Sequence, residues 1–337
     1  METGSSTSPI PTPLHAPAVV NALVAGVLSA FVCLALGVSV LRTYGLFLFL
    51  ATPFVMGAVT GYLLARGASV TSVQIARVIL MELALVSAGI LAVAFEGLIC
   101  LLMAAPLAIP FMLAGVAVGR DLAGRRPDRP TRLLLSLLVL PAGAVFDSTN
   151  LPDRNAHEVR SVVEIDAPAE RVWENVIAFP ALPEPTEWWF RAGLAYPRYA
   201  SIEGRGVGAV RYCVFSTGPF VEPITAWEPG RRLAFDVTAF PEPMRELSPY
   251  RGIHPPHLDG YLRSRRGEFR LIPLAGGRTR LEGRTWYELD MAPAIYWQAI
   301  TDGVIHSIHR RVIDHIKRQS ELAAGTSGLD GVSAHVR

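Results

Sequence analysis

Charge is what the first third of this chain lacks. Between Leu14 and Gly119 the only charged side chains are Arg42, Arg66, Arg77, Glu82 and Glu96. A soluble fold cannot leave so long a stretch bare, because it would have little to show to water. Lysine is also nearly absent. Lys317 is the only one, every other basic residue is arginine, and we read this as coding bias rather than chemistry. Cysteine is scarce: Cys33, Cys100 and Cys213 have no metal-ligand spacing and imply no disulfide framework. The first residues, METGSSTSPIPTP, hold no lysine or arginine ahead of the apolar run. They make a poor signal peptide and are expected to form a short disordered tail up to residue 16. Nucleophile motifs, phosphate loops and dinucleotide fingerprints are missing. The G-x-G of EGRGVGAV joins two strand-like runs rather than a strand and a helix, so it reads as a hairpin turn. With 31 basic and 29 acidic residues the net charge is +2, which gives no reason to expect nucleic acid as a partner.

The uncharged part divides into four apolar stretches, 17–41, 45–65, 74–95 and 97–118. Each is long enough for a hydrocarbon core of about 30 Å, which takes about 20 residues. Their glycine, alanine and serine content suits close helix packing in lipid. Pro106 and Pro110 are expected to kink the fourth stretch. Five arginines follow, Arg120, Arg125, Arg126, Arg129 and Arg132, and mark a cytoplasmic loop. A shorter apolar run, 133–146, is read as a fifth span, which places the C-terminal domain outside the cytoplasm of a multi-pass cell-membrane protein. The alternative is an interfacial helix with the domain in the cytoplasm. Glu82 falls in mid-span and Glu96 between spans three and four. Glu82 is read as a protonated or hydrogen-bonded acid locking helices together and Glu96 as a loop carboxylate, since no second acid, histidine or lysine is spaced to make a proton relay with them.

From His157 the pattern changes. Val159–Asp166 alternates as a strand, and Pro168 opens a helix over AERVWENVIAF with Asp166 near its cap. A broken helical segment, ALPEPTEWWFRAG, follows. Its Trp188, Trp189 and Phe190 could touch the bilayer interface, line a pocket mouth or pack in the core. Six strand-like runs come next, at 199–203, 207–216, 220–227, 231–238, 262–273 and 278–290. A long helix is predicted over 293–320, and 321–337 is expected to be a disordered tail.

Three phrases in this half resemble the START-like, or SRPBCC, superfamily: EIDAPAERVWENV, ITAWEPGRRLAFDV and GRTRLEGRTWYEL. They come in the superfamily's order and cover 157–320, about half of the chain. Members include lipid-transfer domains, the birch-pollen allergen and polyketide aromatase/cyclases. Bacterial membrane-attached members are the nearest match for the helical half at 17–147. The resemblance implies an α+β helix-grip domain, a seven-stranded antiparallel sheet wrapped around a long C-terminal helix over an apolar cavity. It does not imply one reaction.

Strand alternation selects the inward side chains. On 278–290, Arg280, Glu282, Arg284 and Glu288 face water, and Leu281, Gly283, Thr285 and Tyr287 face inward. The candidate ligand-binding residues are Arg211, Cys213, Phe215, Leu233, Phe235, Phe269, Leu271 and Tyr287. Arg211, if inward, needs a partner: a ligand carboxylate or phosphate, or Glu222 or Asp236. The segment 239–261 is long and proline-rich, as lids are, and carries His254, His257 and Asp259. These, with His306 and His309 on the last helix, are candidates for a lid and latch rather than for a metal site. No cofactor is expected. The reading adopted is a membrane-anchored domain that binds a lipid or other hydrophobic small molecule. The alternatives are a cyclase, dehydratase or hydrolase using the same cavity, and an unliganded interaction domain. The sequence leaves the oligomeric state open.

Overall fold

The computed structural model describes residues 16–41, 44–67, 71–124, 138–147, 156–250 and 260–330. The chain divides into two compact units, the first built from residues up to Leu151 together with the short segments Ser248–Pro255 and Met291–Pro293, the second from the rest.

The first unit is helical. It contains α1 (Ala16–Ala35), which continues as π-helical turns over Leu36–Leu41. A second π-helical segment, Phe47–Ala51, leads into α2 (Thr52–Gly67). Then come α3 (Ser72–Ala92), α4 (Leu98–Ala123) and α5 (Leu138–Asp147). Four helical stretches are long and apolar enough to cross a membrane: Pro17–Leu41, Phe47–Arg66, Ser72–Ala92 and Leu98–Ala123. The two prolines expected to kink the last of these stand inside one continuous α4.

What holds these helices together is missing side chains. Gly57 and Gly61 of α2 face Gly115 and Gly119 of α4, two G-x-x-x-G spacings set against each other. A Cβ on Gly57 would lie 2.1 Å from the Met112 carbonyl oxygen, and one on Gly61 2.4 Å from that of Val116. Cβ atoms on Gly115 and Gly119 would lie 2.0 Å from the carbonyl oxygens of Phe54 and Ala58. The two helices therefore touch backbone to backbone, as small-residue seams allow. Because 57 meets 112 and 61 meets 116, α2 and α4 run in the same direction.

Polar groups in this unit are matched locally. Thr71 and Gln74 form a capping box that starts α3. Glu82 is fully buried and accepts a 2.5 Å hydrogen bond from the Thr60 hydroxyl. Its carboxylate fills the notch left by Gly26, where a Cβ would lie 1.5 Å from Oε1, so one acid ties α1, α2 and α3 together. Glu96, in the turn after α3, accepts from the Tyr44 hydroxyl at 2.9 Å. Asp147, at the end of α5, accepts from the backbone N–H groups of Leu46 and Phe47 at 2.8 and 2.9 Å. It satisfies donors that the start of the Phe47–Ala51 segment would otherwise leave open.

The second unit is a seven-stranded antiparallel sheet with helices on its inner face. Its strands are β1 (His157–Ile165), β2 (Pro197–Glu203), β3 (Val210–Phe215), β4 (Pro219–Glu228), β5 (Arg232–Asp236), β6 (Leu262–Leu274) and β7 (Arg278–Leu289). Their spatial order is β1-β7-β6-β5-β4-β3-β2, a curled half-barrel opened between the two earliest strands. The helices α6 (Ala169–Ile177) and α7 (Trp188–Ala192) fill the β1–β2 connection, and α8 (Ala294–Asp330) closes the chain. Gly276 and Gly277 take φ of +77° and +71° at the β6–β7 turn, where a side chain would be strained.

One apolar core lies between sheet and helices. It joins Val172, Trp173 and Val176 of α6 to Leu233, Phe235, Leu271 and Leu281 of the sheet and to Val312, Ile313 and Ile316 of α8.

Three sequence expectations shift here. Asp166 does not cap α6. The cap position is Pro168, and the Asp166 N–H donates to Glu321 Oε1 at 2.9 Å. The last helix extends beyond 320 to Asp330, since Glu321, Leu322, Ala323 and Ala324 are good helix formers. The charged outer face of the sheet is not uniformly wet. Glu268 and Glu282 are buried beneath the stems of Arg232, Arg270, Arg160 and Arg284, which pair with them. Trp188, Trp189 and Phe190 divide along α7: Trp188 is exposed and Phe190 belongs to the interior.

Candidate functional site on the inner face of the sheet

Alternation in β3 turns Arg211, Cys213 and Phe215 to the inner face. Arg211 is 1% exposed. Its Nη1 donates to Glu222, which stands opposite it on β4. Of the two carboxylates that could have met it, Glu222 is the one that does. Its Nε donates to the Ile177 carbonyl at 3.1 Å, at the last turn of α6. The rings of Phe179, Phe235 and Phe269 surround the guanidinium at 5.6, 5.6 and 5.7 Å. Burial, the largest effect, works against its charge, but Glu222 and the neighbouring Cys213 together raise the Arg211 pKa above its ordinary value. Among the described residues, the buried Nη2 has no hydrogen-bond partner. Two of the three guanidinium nitrogens are thus engaged inside an aromatic box. Cys213 sits beside it. Burial pushes that thiol up to about 12, so it is not a thiolate nucleophile.

The other named candidates share this face. Phe215, Leu233, Phe235 and Leu271 are buried in the core cluster, and Phe269 packs against it while partly accessible. Tyr287 is fully buried, and its hydroxyl donates to Asp302 Oδ1 of α8 at 2.6 Å. Burial, followed by the Asp302 carboxylate, pushes the Tyr287 pKa above its ordinary value, so it stays a phenol.

A second polar group lies where α8 crosses β1 and β7. Ser161 Oγ is 2.8 Å from His306 Nδ1 and 3.1 Å from His309 Nδ1. Thr285 Oγ1 is 2.8 Å from His309 Nε2. Both histidines of α8 thus turn inward. Burial, with a smaller contribution from His306, lowers the His309 pKa to about 4, so this ring is neutral at pH 7. His254, His257 and Asp259 lie outside the described residues. Among the described residues no group of three or more His, Cys, Asp or Glu side chains could hold a metal ion.

Sequence reasoning missed Ser161, Asp302 and Phe179. Ser161 had a signal: it is the polar residue at an inward position of β1, just as Thr285 is on β7. Phe179 and Asp302 had none, since only the packing of α8 and of the chain after α6 brings them in. On the outer face a groove of 250 Å³ opens between Arg232, Asp236, Arg266, Arg270 and Trp286, with the Arg266 guanidinium 4.1 Å from the Trp286 ring centre.

Residues 156–321 match the profile of the family described as "Polyketide cyclase / dehydrase and lipid transport". The comparison with curated proteins found no match. Similar solved structures include a protein of Nitrosospira multiformis, 19% identical, with a TM-score of 0.30, over 49% of this chain and 96% of that one. Another, from Nitrosomonas europaea, is 16% identical with a TM-score of 0.30, over 50% and 96%. A norcoclaurine synthase point mutant of Thalictrum flavum, solved with a transition-state analogue, is 11% identical with a TM-score of 0.31, over 48% and 92%. Residues 156–321 are thus similar to the polyketide cyclase/dehydrase and lipid transport family, and the apolar helices before them lie outside that match.

Proposed function

We propose that this protein binds a neutral, largely apolar small molecule between the inner face of its sheet and α8, while its helical unit holds it in a membrane. The observation that carries this reading is the unpartnered Nη2 of a fully buried Arg211 among three aromatic rings. Glu222 already balances the charge, so an anionic ligand would sit beside a buried carboxylate at a large cost. A carbonyl or hydroxyl oxygen on an apolar body suits the site better. Inner-face residues Phe269, Thr285, His306 and His309 keep part of their surface accessible, which supports an occupant on this face. The test is native mass spectrometry of the full chain released from nanodiscs. A co-purified apolar molecule is expected. An empty protein whose melting temperature does not respond to 2-methoxynaphthalene would overturn the proposal.

A fifth crossing belongs to the same reading. Since α2 and α4 run in the same direction, Arg120 lies at the Arg66 end of the bundle. Asp147 lies at the opposite end, bound to Leu46 and Phe47. The chain has therefore changed ends between 120 and 147, which supports a spanning 133–146 and a C-terminal domain outside the cytoplasm. Cysteine labelling in intact cells tests this, with Cys33, Cys100 and Cys213 replaced by alanine. An impermeant thiol reagent is expected to reach Ser201→Cys and not Ala123→Cys.

A further inference from the structure

We propose that His306 Nε2 is a hydrogen-bond acceptor for a hydroxyl group of the bound molecule, held in that role by a chain through Ser161, His309 and Thr285. The proposal rests on the reading that the inner face holds an apolar ligand, and it names a second polar group that the ligand carries.

Ser161 has a single O–H and lies between two imidazole Nδ1 atoms, at 2.8 and 3.1 Å. It can donate to one of them, and must accept from the other. His309 has hydroxyls at both of its nitrogens and carries one proton. Two arrangements satisfy every atom. In the first, His306 Nδ1–H donates to Ser161, Ser161 donates to His309 Nδ1, and His309 Nε2–H donates to Thr285. In the second, every bond is reversed. The first leaves His306 Nε2 with a lone pair, and the second leaves it with a proton. Among the described residues nothing is bonded to His306 Nε2, and the ring is only partly buried. The first arrangement also tolerates a proton on Nε2, because each remaining bond already points away from His306. A hydroxyl that donates to Nε2 therefore meets a chain already aligned to receive it. The alignment is built from three elements, with Ser161 on β1, Thr285 on β7 and both histidines on α8. Ser161 is 7% exposed, so water does not compete for its bonds.

The experiment compares 2-naphthol with 2-methoxynaphthalene, which differ by one O–H, on the full chain in nanodiscs at about pH 8, where ordinary imidazoles are neutral. Naphthol fluorescence is expected to report binding about ten-fold tighter than that of the ether, the value of one well-placed hydrogen bond. His306→Phe is expected to abolish the preference while the ether still binds. Ser161→Ala is expected to weaken the preference, and Ser161→Thr, which keeps the hydroxyl, to restore it. Nitrogen-15 NMR of labelled histidine in the naphthol complex is expected to find the His306 proton on Nδ1 and the His309 proton on Nε2. Equal affinity for the two compounds in the native chain, a preference that survives His306→Phe, or the reverse tautomers, would overturn this site alone. Binding of neither compound would overturn the site together with the proposed function.

Discussion

In the helical unit, α2 and α4 meet where side chains are missing. In the sheet unit, α8 meets the strands through some of the largest side chains present. Gly57, Gly61, Gly115 and Gly119 leave carbonyl oxygens about 2 Å from where a Cβ would be, whereas a Cβ on Gly283 of β7 would find its nearest neighbours at 3.6 Å. The difference follows the solvent proposed for each unit, since four of the helical stretches are long and apolar enough to cross a membrane. In lipid there is no hydrophobic gain from bringing helices together, so the contact must come from close backbone approach. In water, burying Leu233, Leu281 and Ile316 is itself the driving force. Buried ionisable groups are treated differently as well. Glu82 is met by one hydroxyl, while Arg211 is met by a carboxylate, a carbonyl and three rings.

The sharpest way to break this comparison is to add side chains at the two kinds of glycine. Gly119→Ile, which has no room against Ala58, is expected to prevent recovery of a monodisperse protein in detergent, at a cost above the usual overpacking range of about 1–3 kcal/mol. Gly283→Ala is expected to leave the melting temperature nearly unchanged. Similar losses from the two would erase the distinction. Next in size is Arg211→Met, which leaves Glu222 buried and unpaired and is expected to cost about 3–5 kcal/mol in denaturant unfolding. The double variant with Glu222→Met is expected to recover most of that, and a failure to do so would mean that the pair's worth lies in packing. Thr60→Val removes the donor to Glu82 and is expected to cost about 1–2 kcal/mol, seen as a lower midpoint of unfolding in mixed micelles.

The smallest effect expected is a pH dependence. The His309 pKa is depressed in the folded protein to about 4, by burial first and by His306 second, from an ordinary 6.5. Above 6.5 both folded and unfolded chains hold the ring neutral, and its contribution to stability is fully present. Between 6.5 and 4 the unfolded chain takes up a proton that the folded one does not, so stability falls as pH falls. Against the wild type, His309→Gln is expected to lose less in melting temperature over that window. Parallel curves would mean that His309 is solvated.

The inward set on β3, β5 and β7 could be read from alternation because period two is a property of the strand itself. Arg211 came out of that phase even though its partner did not. The histidines of α8 were visible as a pair three residues apart, but not their purpose. Ser161, 145 and 148 residues away from them, meets them only once β1 lies beside β7 and under α8. Glu282 points outward by its strand phase, yet it is buried, because alternation gives direction and not depth. The glycines of α2 and α4 had a recognisable spacing each. That the two spacings face one another in the same direction is a matter of packing.

By itself the sequence determined that the first part of the chain is too poor in charge for water, that the second alternates into a sheet closed by a long helix, and which strand positions point inward. These follow from local chemistry: the transfer cost of side chains and the period of each backbone. Only the tertiary structure decided that Glu222 neutralises Arg211, that Thr60 meets Glu82 in the notch of Gly26, and that Ser161 and Thr285 bracket His309. Each of these joins groups from different elements, and the distance between them is set by the closing of the whole sheet or bundle and by no segment alone.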